Sequence, residues 1–222
     1  MTTIDINDRL LSKNDQYALA NRKLLDSNGV WCVNMISAPG SGKTTLIERT
    51  TDKFAGGPKI GVLVGDLETQ NDADRIATHG VEVYQIITGG SCHLTARVVG
   101  EYLQRFDISS LDVLIVENVG NLVCPTSYYL GEHNRMVLVS TPEGDDKPLK
   151  YPGAIHTSDL MLVTKTDMAP YTNFDVERAG ENARRINADI EVFPVSSTSG
   201  EGLDQWFEWF GKHATEKSSQ QS

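Results

Sequence analysis

A glycine-rich segment, SAPGSGKTT over residues 37–45, contains the residue types of a phosphate-binding loop. It matches the pattern G-x-x-x-x-G-K-[ST] at every defining position except the first, where serine replaces glycine. Gly40 and Gly42 let the backbone curve closely round an anion, and N–H groups at the start of the next helix point at it. Lys43 places a positive charge on the β- and γ-phosphates, and the Thr44 hydroxyl can bind Mg²⁺. The predicted nucleotide-binding residues here are Pro39, Gly40, Ser41, Gly42, Lys43, Thr44 and Thr45.

Two loops late in the chain contain residues that could recognise a guanine base. An apolar run ends in TKTD, which resembles the guanine-reading element N-K-x-D with Thr164 in the place of asparagine. The Asp167 carboxylate can accept hydrogen bonds from guanine N1–H and N2–H₂, a donor pair that adenine lacks. The stem of Lys165 can lie along the base. A later segment, VSSTSG, places Ser196 and Ser197 where backbone N–H groups could approach guanine O6. These loops predict GTP or GDP as the ligand, and a solvated loop is the alternative for TKTD.

Two acidic residues follow apolar runs and could serve the phosphate chemistry. The sequence Glu117-Asn118-Val119-Gly120 is an E-x-x-G version of the D-x-x-G switch of nucleotide hydrolases, in which Gly120 is a hinge that approaches the γ-phosphate. Asp66 ends another apolar run, where a carboxylate orients water or the hydration shell of magnesium. The alternative for Asp66 is a helix cap. We therefore predict Lys43, Asp66, Glu117 and Gly120 as the catalytic set and Thr44, Asp66 and Glu117 as the Mg²⁺ site.

A cysteine–histidine pair and a second cysteine provide soft metal ligands. Cys92 and His93 lie at the start of a predicted helix, where the helix dipole should lower the thiol pKa. Cys124 follows the Gly120 hinge closely, so its position should change when the γ-phosphate is lost. Thiolate and imidazole together suit Ni²⁺ or Zn²⁺ rather than Mg²⁺. One chain offers three such ligands, so a second chain related by a twofold axis could complete the site. Two unrelated cysteines remain the alternative.

Short apolar runs that alternate with amphipathic segments position these motifs. Several of the runs, such as IGVLVG and DVLIVE, are apolar throughout, as in strands that helices cover on both faces. We therefore predict an α/β fold of the P-loop NTPase type, with a mostly parallel, doubly wound sheet flanked by helices. Strands are predicted at 31–36, 59–65, 81–87, 112–117, 136–140, 159–164 and 190–195. Helices are predicted at 43–54, 71–79, 92–105, 174–187 and 202–213, with an additional amphipathic segment at 8–27.

The alternation predicts one nucleotide-hydrolase domain over residues 31–214. An N-terminal helical extension, residues 1–30, has no place in the alternation and is expected to pack on the outside of that domain. The polar tail, residues 215–222, is expected to be disordered because its composition cannot bury a core.

Charge and composition exclude several classes of function. The formal net charge is −10, which disfavours nucleic acid as a partner. No apolar stretch approaches the roughly 18 residues that a membrane-spanning helix requires, and the N-terminus lacks the features of a secretory signal. A cytoplasmic protein without a membrane partner is the expectation. The three cysteines are too few and too scattered for a disulfide framework, and Cys32 in the run WCVNMI is expected to fill the core.

Taken together, these segments resemble the HypB family, the GTPases that incorporate nickel into hydrogenase. The resemblance extends from about residue 10 to about residue 210. It includes an upstream pattern (Asn14, Asp15, Ala18, Asn21 and Arg22), the phosphate loop NMISAPGSGKTTL, and the segments GDLETQNDADRI, GGSCHLTA, ENVGNLVCP and EGDDKPLKYP. The CHL and ENVGNLVCP elements are more specific than the phosphate loop. Ser37 is a usual variant in this family.

The resemblance implies a GTP-hydrolysing metallochaperone switch that assists nickel insertion into the large subunit of [NiFe]-hydrogenase. It implies GTP/GDP, Mg²⁺ and Ni²⁺ or Zn²⁺ as ligands, slow intrinsic hydrolysis, and a homodimer that forms around GTP. It also implies a HypA-type metallochaperone partner and a metal site formed by Cys92, His93 and Cys124 at or near the dimer interface.

The chain departs from many bacterial members because it has neither an N-terminal cysteine motif nor a histidine-rich tract, so nickel storage is not expected. Three alternatives stay open. A urease-accessory GTPase would carry C-P-H, whereas Thr126 follows Cys124-Pro125 here. A P-loop small-molecule kinase would need an arginine-rich lid, and residues 141–157 contain no arginine. A binding scaffold without hydrolysis is the third.

Overall fold

The computed structural model describes residues 6–67 and 71–218. Within these residues, seven parallel strands form one sheet in the order β3-β2-β4-β1-β5-β6-β7. β1 lies at the centre between β4 and β5, so the chain leaves its carboxyl end at the point where the strand order reverses. Ligands of open α/β sheets bind at such a point. The strands are β1 (Trp31–Ser37), β2 (Ile60–Asp66), β3 (Glu82–Ile87), β4 (Val113–Glu117), β5 (Asn134–Ser140), β6 (Leu160–Thr164) and β7 (Glu191–Pro194).

Helices cover both faces of this sheet. The α-helices are α1 (Ile6–Ser27), α2 (Lys43–Lys53), α3 (Asn71–Ala77), α4 (Ala96–Leu103), α5 (Lys147–Lys150), α6 (Pro152–His156), α7 (Val176–Arg184) and α8 (Leu203–Ser218). Short 3₁₀ turns occur at Ile108–Ser110, Cys124–Ser127, Thr141–Glu143 and Thr166–Tyr171. For the described residues, each helix is too short or too polar to cross a bilayer.

The predicted α/β fold is confirmed, and all seven strands lie within two residues of their expected bounds. The expected start of the fourth helix at residue 92 is wrong, because the Thr95 side chain caps α4 and the helix begins at Ala96. The short helices α5 and α6 were not predicted. α8 continues to Ser218, so the first part of the tail expected to be disordered is helical. Its last turn is rich in charged helix formers, which the apolar pattern could not mark.

Residues 219–222 of that tail lie outside the described residues, as do Glu68, Thr69 and Gln70 of the segment GDLETQNDADRI. The division into a helical extension, a nucleotide-hydrolase domain and a tail stays a prediction.

Alternate residues of β1 pack into different parts of the core. Trp31 belongs to a cluster with Trp206 and Phe210 of α8 on one face of the sheet. Cys32 packs on the other face among side chains of α1 and α4, and it is 3% exposed. The expected core role of Cys32 therefore agrees with its position. Burial also raises the pKa of this thiol well above its ordinary value.

Two asparagines fix α1 against α4 and the loop before β5. The Asn21 carboxamide donates to the carbonyls of Ala96 and Leu130 at 2.7 and 2.9 Å. Asn14 accepts a hydrogen bond from the Ala96 N–H at 2.9 Å. Gly131 allows the close approach, since a Cβ there would lie 2.6 Å from the carbonyl oxygen of Ala18. These contacts give a structural reason for the spaced asparagines of the upstream sequence pattern.

Removing the Trp206 side chain should destabilise the fold. Trp206 is fully buried and donates from Nε1 to the Thr50 hydroxyl at 2.8 Å. We expect Trp206→Ala to lower the free energy of unfolding by about 3–5 kcal/mol, because it leaves a large cavity and removes the hydrogen bond from Trp206 to Thr50. Urea denaturation measures this. As a control, Tyr171 is 87% exposed, and Tyr171→Ala should change stability by less than about 0.5 kcal/mol. Equal losses in the two variants would contradict the packing described here.

Candidate functional site

A cleft of about 410 Å³ lies at the carboxyl edge of the sheet, beside β1, β2 and β4. Its walls include Lys43, Asp66, Glu117, Gly120 and Lys165, which come from separate parts of the chain. The fold therefore brings the predicted phosphate loop, switch and base-reading loop to one place. This is the binding region expected for a doubly wound sheet.

The phosphate loop leaves the start of α2 open to an anion. Gly42 precedes the helix with a φ of 97°, in the left-handed region that favours glycine. No side chain among the described residues caps this helix end, so its first N–H groups remain available for phosphate oxygens. Lys43 is 7% exposed and donates from Nζ to the Ser37 hydroxyl at 2.8 Å. The serine at the first position of the motif therefore supports the lysine.

The lysine shares its buried surroundings with a carboxylate. Burial lowers the pKa of Lys43, and the charge of Glu117 opposes this effect. Glu117 is itself 4% exposed, and its Oε1 accepts a hydrogen bond from the Thr44 hydroxyl at 2.9 Å. Burial raises the pKa of Glu117 to about 7, while Lys43 and Thr44 act in the opposite direction.

The second carboxylate oxygen of Glu117 is suited to a cation. Among the described residues, Oε2 is buried and has no hydrogen-bond partner. A buried oxygen of this kind is rare unless a ligand uses it. Glu117 also accepts from the Thr44 hydroxyl, and a carboxylate beside a threonine hydroxyl is the oxygen donor set expected for Mg²⁺ next to nucleotide phosphates. The residues present thus fit the predicted magnesium site.

The switch segment packs directly on the phosphate loop. A Cβ at Gly120 would lie 3.0 Å from the Cα of Pro39, which explains why glycine occupies this position. Asp66 ends β2 at the same edge and lines the cleft, as expected. Two residues that the sequence analysis did not identify, Asp72 and Arg75 of α3, also line it. Arg75 forms ion pairs with Glu48 at 2.9 Å and with Asp72 at 3.4 Å.

The base-reading loop is joined to the phosphate loop by Thr164. Its hydroxyl donates to the carbonyl of Ser41 at 2.7 Å. The threonine that replaces asparagine in the guanine-reading element is therefore engaged in holding two binding loops together. Lys165 follows with a φ of 58°, a strained conformation for a non-glycine residue, and its side chain lines the cleft.

Asp167 is held by the last loop in a way that the sequence did not suggest. The Ser196 hydroxyl donates to Asp167 Oδ1 at 2.6 Å, which orients the carboxylate. The expected role of the Ser196 N–H at a guanine oxygen is wrong, because that group donates to the carbonyl of Glu201 at 2.8 Å. The Ser197 carbonyl accepts from Arg49 of α2 at 2.8 Å, so the loop is also fixed to the helix that follows the phosphate loop.

The predicted metal ligands converge. The ligand atoms of Cys92, His93 and Cys124 all lie within 4.8 Å of one another, and Cys92 Sγ is 3.8 Å from His93 Nδ1. A tetrahedral metal with ordinary bond lengths would separate sulfur and nitrogen ligands by roughly 3.6–3.8 Å. The two cysteines therefore meet in this fold, and the arrangement fits Ni²⁺ or Zn²⁺; the metal site itself stays a prediction.

The thiol chemistry differs from expectation. Because α4 begins at Ala96, Cys92 is not at a helix N-terminus. A hydrogen bond with the Cys124 thiol instead raises the pKa of Cys92. Burial lowers the pKa of His93, which favours the neutral imidazole that binds metals. The Tyr128 ring stacks on that imidazole with a centroid distance of 3.9 Å, a support that no sequence signal indicated.

A partly buried carboxylate also supports the phosphate loop. Glu143 accepts hydrogen bonds from the hydroxyls of Ser41 and Ser140, both at 2.7 Å. The sequence analysis did not identify it, although the capping pattern S-x-x-E over residues 140–143 was a usable signal.

Comparison with known proteins agrees with this geometry. The family model "CobW/HypB/UreG, nucleotide-binding domain" matches residues 32–194. The hydrogenase maturation factor HypB of Azotobacter vinelandii is 47% identical over 92% of this chain and 67% of its own length. The crystal structure of Helicobacter pylori HypB in complex with nickel superposes with a TM-score of 0.86 at 38% identity, covering 92% of this chain and 96% of that one. Archaeoglobus fulgidus HypB gives the same TM-score at 36% identity, covering 91% and 99%.

The protonation of Glu117 should make stability depend on pH. Its folded pKa is about 7 against an ordinary 4.5, so the folded protein keeps a proton that the unfolded chain loses. The stability that the protonated Glu117 contributes is fully present below its unfolded pKa. This stability is lost as the pH rises through its folded pKa. Without nucleotide or Mg²⁺, we expect the free energy of unfolding to fall by on the order of 2 kcal/mol more in wild type than in Glu117→Gln between about pH 5 and 7.5.

Urea denaturation at the two pH values measures this difference. Glu177 is an exposed glutamate on α7, and Glu177→Gln should keep the wild-type pH dependence. An unchanged dependence in Glu117→Gln would refute the assignment to Glu117.

Proposed function

This chain belongs to the HypB family within the CobW/HypB/UreG group, and on that premise we propose that it is a GTP-hydrolysing metallochaperone switch. In this proposal it assists nickel insertion into [NiFe]-hydrogenase during maturation. The cargo is Ni²⁺, bound by Cys92, His93 and Cys124, and Zn²⁺ is an alternative occupant because the ligands suit both metals. The proposed location is the cytoplasm.

One observation supports the proposal above the others. The three predicted metal ligands lie together, and one of them belongs to the segment that directly follows the switch. Glu117 contacts Thr44 of the phosphate loop, Gly120 packs on Pro39, and Cys124 lies four residues farther along the chain. A change at the γ-phosphate therefore acts on a segment that also contributes a metal ligand.

The proposed reaction is the hydrolysis of GTP to GDP and phosphate. Lys43 and the N–H groups at the start of α2 bind the β- and γ-phosphates and stabilise the negative charge of the transition state. Thr44, Glu117 and Asp66 would hold Mg²⁺ and its water, and the ion would neutralise charge on the phosphate oxygens. Intrinsic hydrolysis is expected to be slow, as suits a switch.

Guanine recognition is assigned to Asp167, which accepts from N1–H and N2–H₂ of the base. Ser196 holds the carboxylate in place, and Thr164 connects this loop to the phosphate loop. Adenine lacks this donor pair and would leave the carboxylate oriented by Ser196 without its partners, so it should bind far more weakly.

Three protein ligands leave one position of a tetrahedral metal open. We propose that a second copy of the chain, associated in the GTP-bound state, or the protein that exchanges metal with it, approaches this position. A HypA-type metallochaperone and the hydrogenase large subunit are the proposed partners. Exposed Val123 beside Cys124 leaves this side of the site accessible.

The alternatives receive less support from the described residues. The Thr126 hydroxyl, at the position where a urease-accessory protein would carry histidine, donates to the Val123 carbonyl at 2.7 Å. Residues 141–157, where a kinase lid would lie, form a 3₁₀ turn and the short helices α5 and α6 and contain no arginine.

Loss of the phosphate-loop lysine should slow GTP hydrolysis strongly. We expect Lys43→Ala to slow single-turnover GTP hydrolysis by about 100-fold or more, because one charged donor to the transition state is lost. The measurement uses micromolar protein with Mg²⁺, and ATP serves as the comparison substrate. Lys59 is an exposed lysine, and Lys59→Ala should leave the rate unchanged. Unaltered GTP cleavage by Lys43→Ala, or equal cleavage of ATP, would argue against the proposal.

Loss of either cysteine at the proposed site should weaken metal binding. We expect Cys92→Ala and Cys124→Ala each to lower Ni²⁺ affinity by about 100-fold, because one of three ligands is removed. This loss should exceed that caused by changing a residue that only hydrogen-bonds to a ligand. Competition with a chromophoric chelator measures the affinity, and Zn²⁺ is tested in parallel. Cys32 lies in the core, and Cys32→Ala should retain wild-type affinity. Retained affinity in both other variants would exclude this metal site.

A further inference from the structure

One buried side chain lies between the switch and the metal-binding loop. Asn118 follows Glu117 directly, is 1% exposed, and uses its single carbonyl oxygen for two hydrogen bonds. Oδ1 accepts from the N–H of Val119 at 3.0 Å and from the N–H of Leu94 at 3.3 Å. Val119 belongs to the switch, and Leu94 is the neighbour of the metal ligand His93. The same acceptor atom therefore holds both segments.

The nitrogen of that carboxamide begins a chain of buried polar contacts. Asn118 Nδ2 donates to Asn34 Oδ1 at 3.2 Å, and Asn34 Nδ2 donates to Glu132 Oε1 at 3.1 Å. Glu132 in turn pairs with Arg135, whose Nη2 lies 2.6 Å from the same oxygen. The exposed fractions of Asn34, Glu132 and Arg135 are 0%, 4% and 6%. Such contacts are electrostatically strong because water does not compete for them.

This series of hydrogen bonds ends at the segment that contains Cys124. Arg135 donates to the carbonyl of Thr126 at 3.3 Å and to that of Tyr128 at 2.9 Å. Thr126 is in the 3₁₀ turn that contains Cys124, and Tyr128 stacks on His93. The contacts that start at the switch thus hold both segments that supply metal ligands.

We propose that Asn118 and Asn34 are positioning residues that couple the nucleotide state to metal affinity through this chain of buried hydrogen bonds. The inference rests on the proposed function and deepens it. When Val119 and Gly120 move towards or away from a γ-phosphate, the Val119 N–H changes its bond to Asn118, and the carboxamide shifts its hold on Leu94 and Asn34. The ligand geometry at Cys92, His93 and Cys124 changes with it.

Coupling between two sites is a ratio of affinities, so it can be measured apart from either affinity. Two ratios are needed. The GTP-analogue ratio is the Kd for Ni²⁺ without nucleotide divided by the Kd for Ni²⁺ with a non-hydrolysable GTP analogue and Mg²⁺. The GDP ratio is the Kd for Ni²⁺ without nucleotide divided by the Kd for Ni²⁺ with GDP and Mg²⁺. We expect the two wild-type ratios to differ by about 5-fold or more, within the usual range of coupling between sites. Thermodynamic linkage requires Ni²⁺ to change the nucleotide affinities by the same factors.

Removing either asparagine from this series of hydrogen bonds should make the GTP-analogue ratio and the GDP ratio equal. Asn118→Ala removes the shared acceptor, and Asn34→Val removes the next link while keeping a residue suited to a buried strand. Neither side chain is a proposed ligand of metal or nucleotide. We expect both variants to give GTP-analogue and GDP ratios that agree within about 2-fold, a loss typical of changes along coupled networks. The thiolate-to-nickel absorption band should no longer respond to the nucleotide.

A matched control separates coupling from general destabilisation. Asn182 of α7 is also a buried asparagine and is 6% exposed. It donates a 3.1 Å hydrogen bond to the Asp145 carbonyl and belongs to neither of the two sites. Asn182→Ala should lower the melting temperature and leave the ratios at their wild-type values. If Asn118→Ala unfolds, Asn34→Val provides the test, with thermal melting as the check of folding.

The outcomes distinguish this inference from the proposed function. If the GTP-analogue and GDP ratios differ in wild type and differ by as much in both asparagine variants, the positioning role is overturned and the proposed switch is not. Wild-type ratios that do not differ would overturn both. If the two ratios become equal in Asn118→Ala but not in Asn34→Val, the proposed role of the hydrogen-bond series is refuted, because only the local contact of Asn118 with Leu94 would then matter. Converged ratios in both variants, with the control unchanged, would support it.

Discussion

A buried carboxylate beside a buried lysine is the constraint on which the rest of the site depends. Glu117 ends β4 in the interior, where an unpaired charge would be costly. Lys43 and Thr44 of the adjacent loop offset this cost, and they can do so because β1 and β4 are neighbouring parallel strands. The remaining Glu117 oxygen is left for a cation. The sheet therefore both stabilises the charges and aims them at the place where phosphate and magnesium would bind.

One predicted metal ligand depends on the same constraint, because Cys124 belongs to the segment that leaves this carboxylate. Between Glu117 and Cys124 the chain passes Gly120, which lies so close to Pro39 of the phosphate loop that a Cβ would be only 3.0 Å from the Pro39 Cα. The imidazole of His93 is supported from the other side by Tyr128. Two sites with different chemistry, one made of oxygen donors and one of sulfur and nitrogen, thus share a short piece of backbone.

Local sequence signals predicted the parts of this structure that local chemistry controls. The short apolar runs predicted all seven strands, and the glycines around Lys43 marked the phosphate loop. The wrong predictions depend on contacts that sequence spacing does not contain. The start of α4 was misplaced because Thr95 caps it, and the pKa expected for Cys92 failed because its neighbour is the Cys124 thiol rather than a helix end. The Ser196 N–H was misassigned because it pairs with the Glu201 carbonyl.

The sequence by itself determined the fold class and the nucleotide loop, and it supplied the three candidate metal ligands, since each of these signals is contained in short segments of the chain. Only the tertiary structure decided that Cys92 and Cys124 meet, that Thr164 and Ser196 serve as supports, and that Asn118 joins the switch to the metal loop. The physical reason is that these contacts connect residues from different strands and loops. Hydrogen bonds and metal geometry require distances of a few ångströms, and only the packing of the sheet and its helices sets those distances.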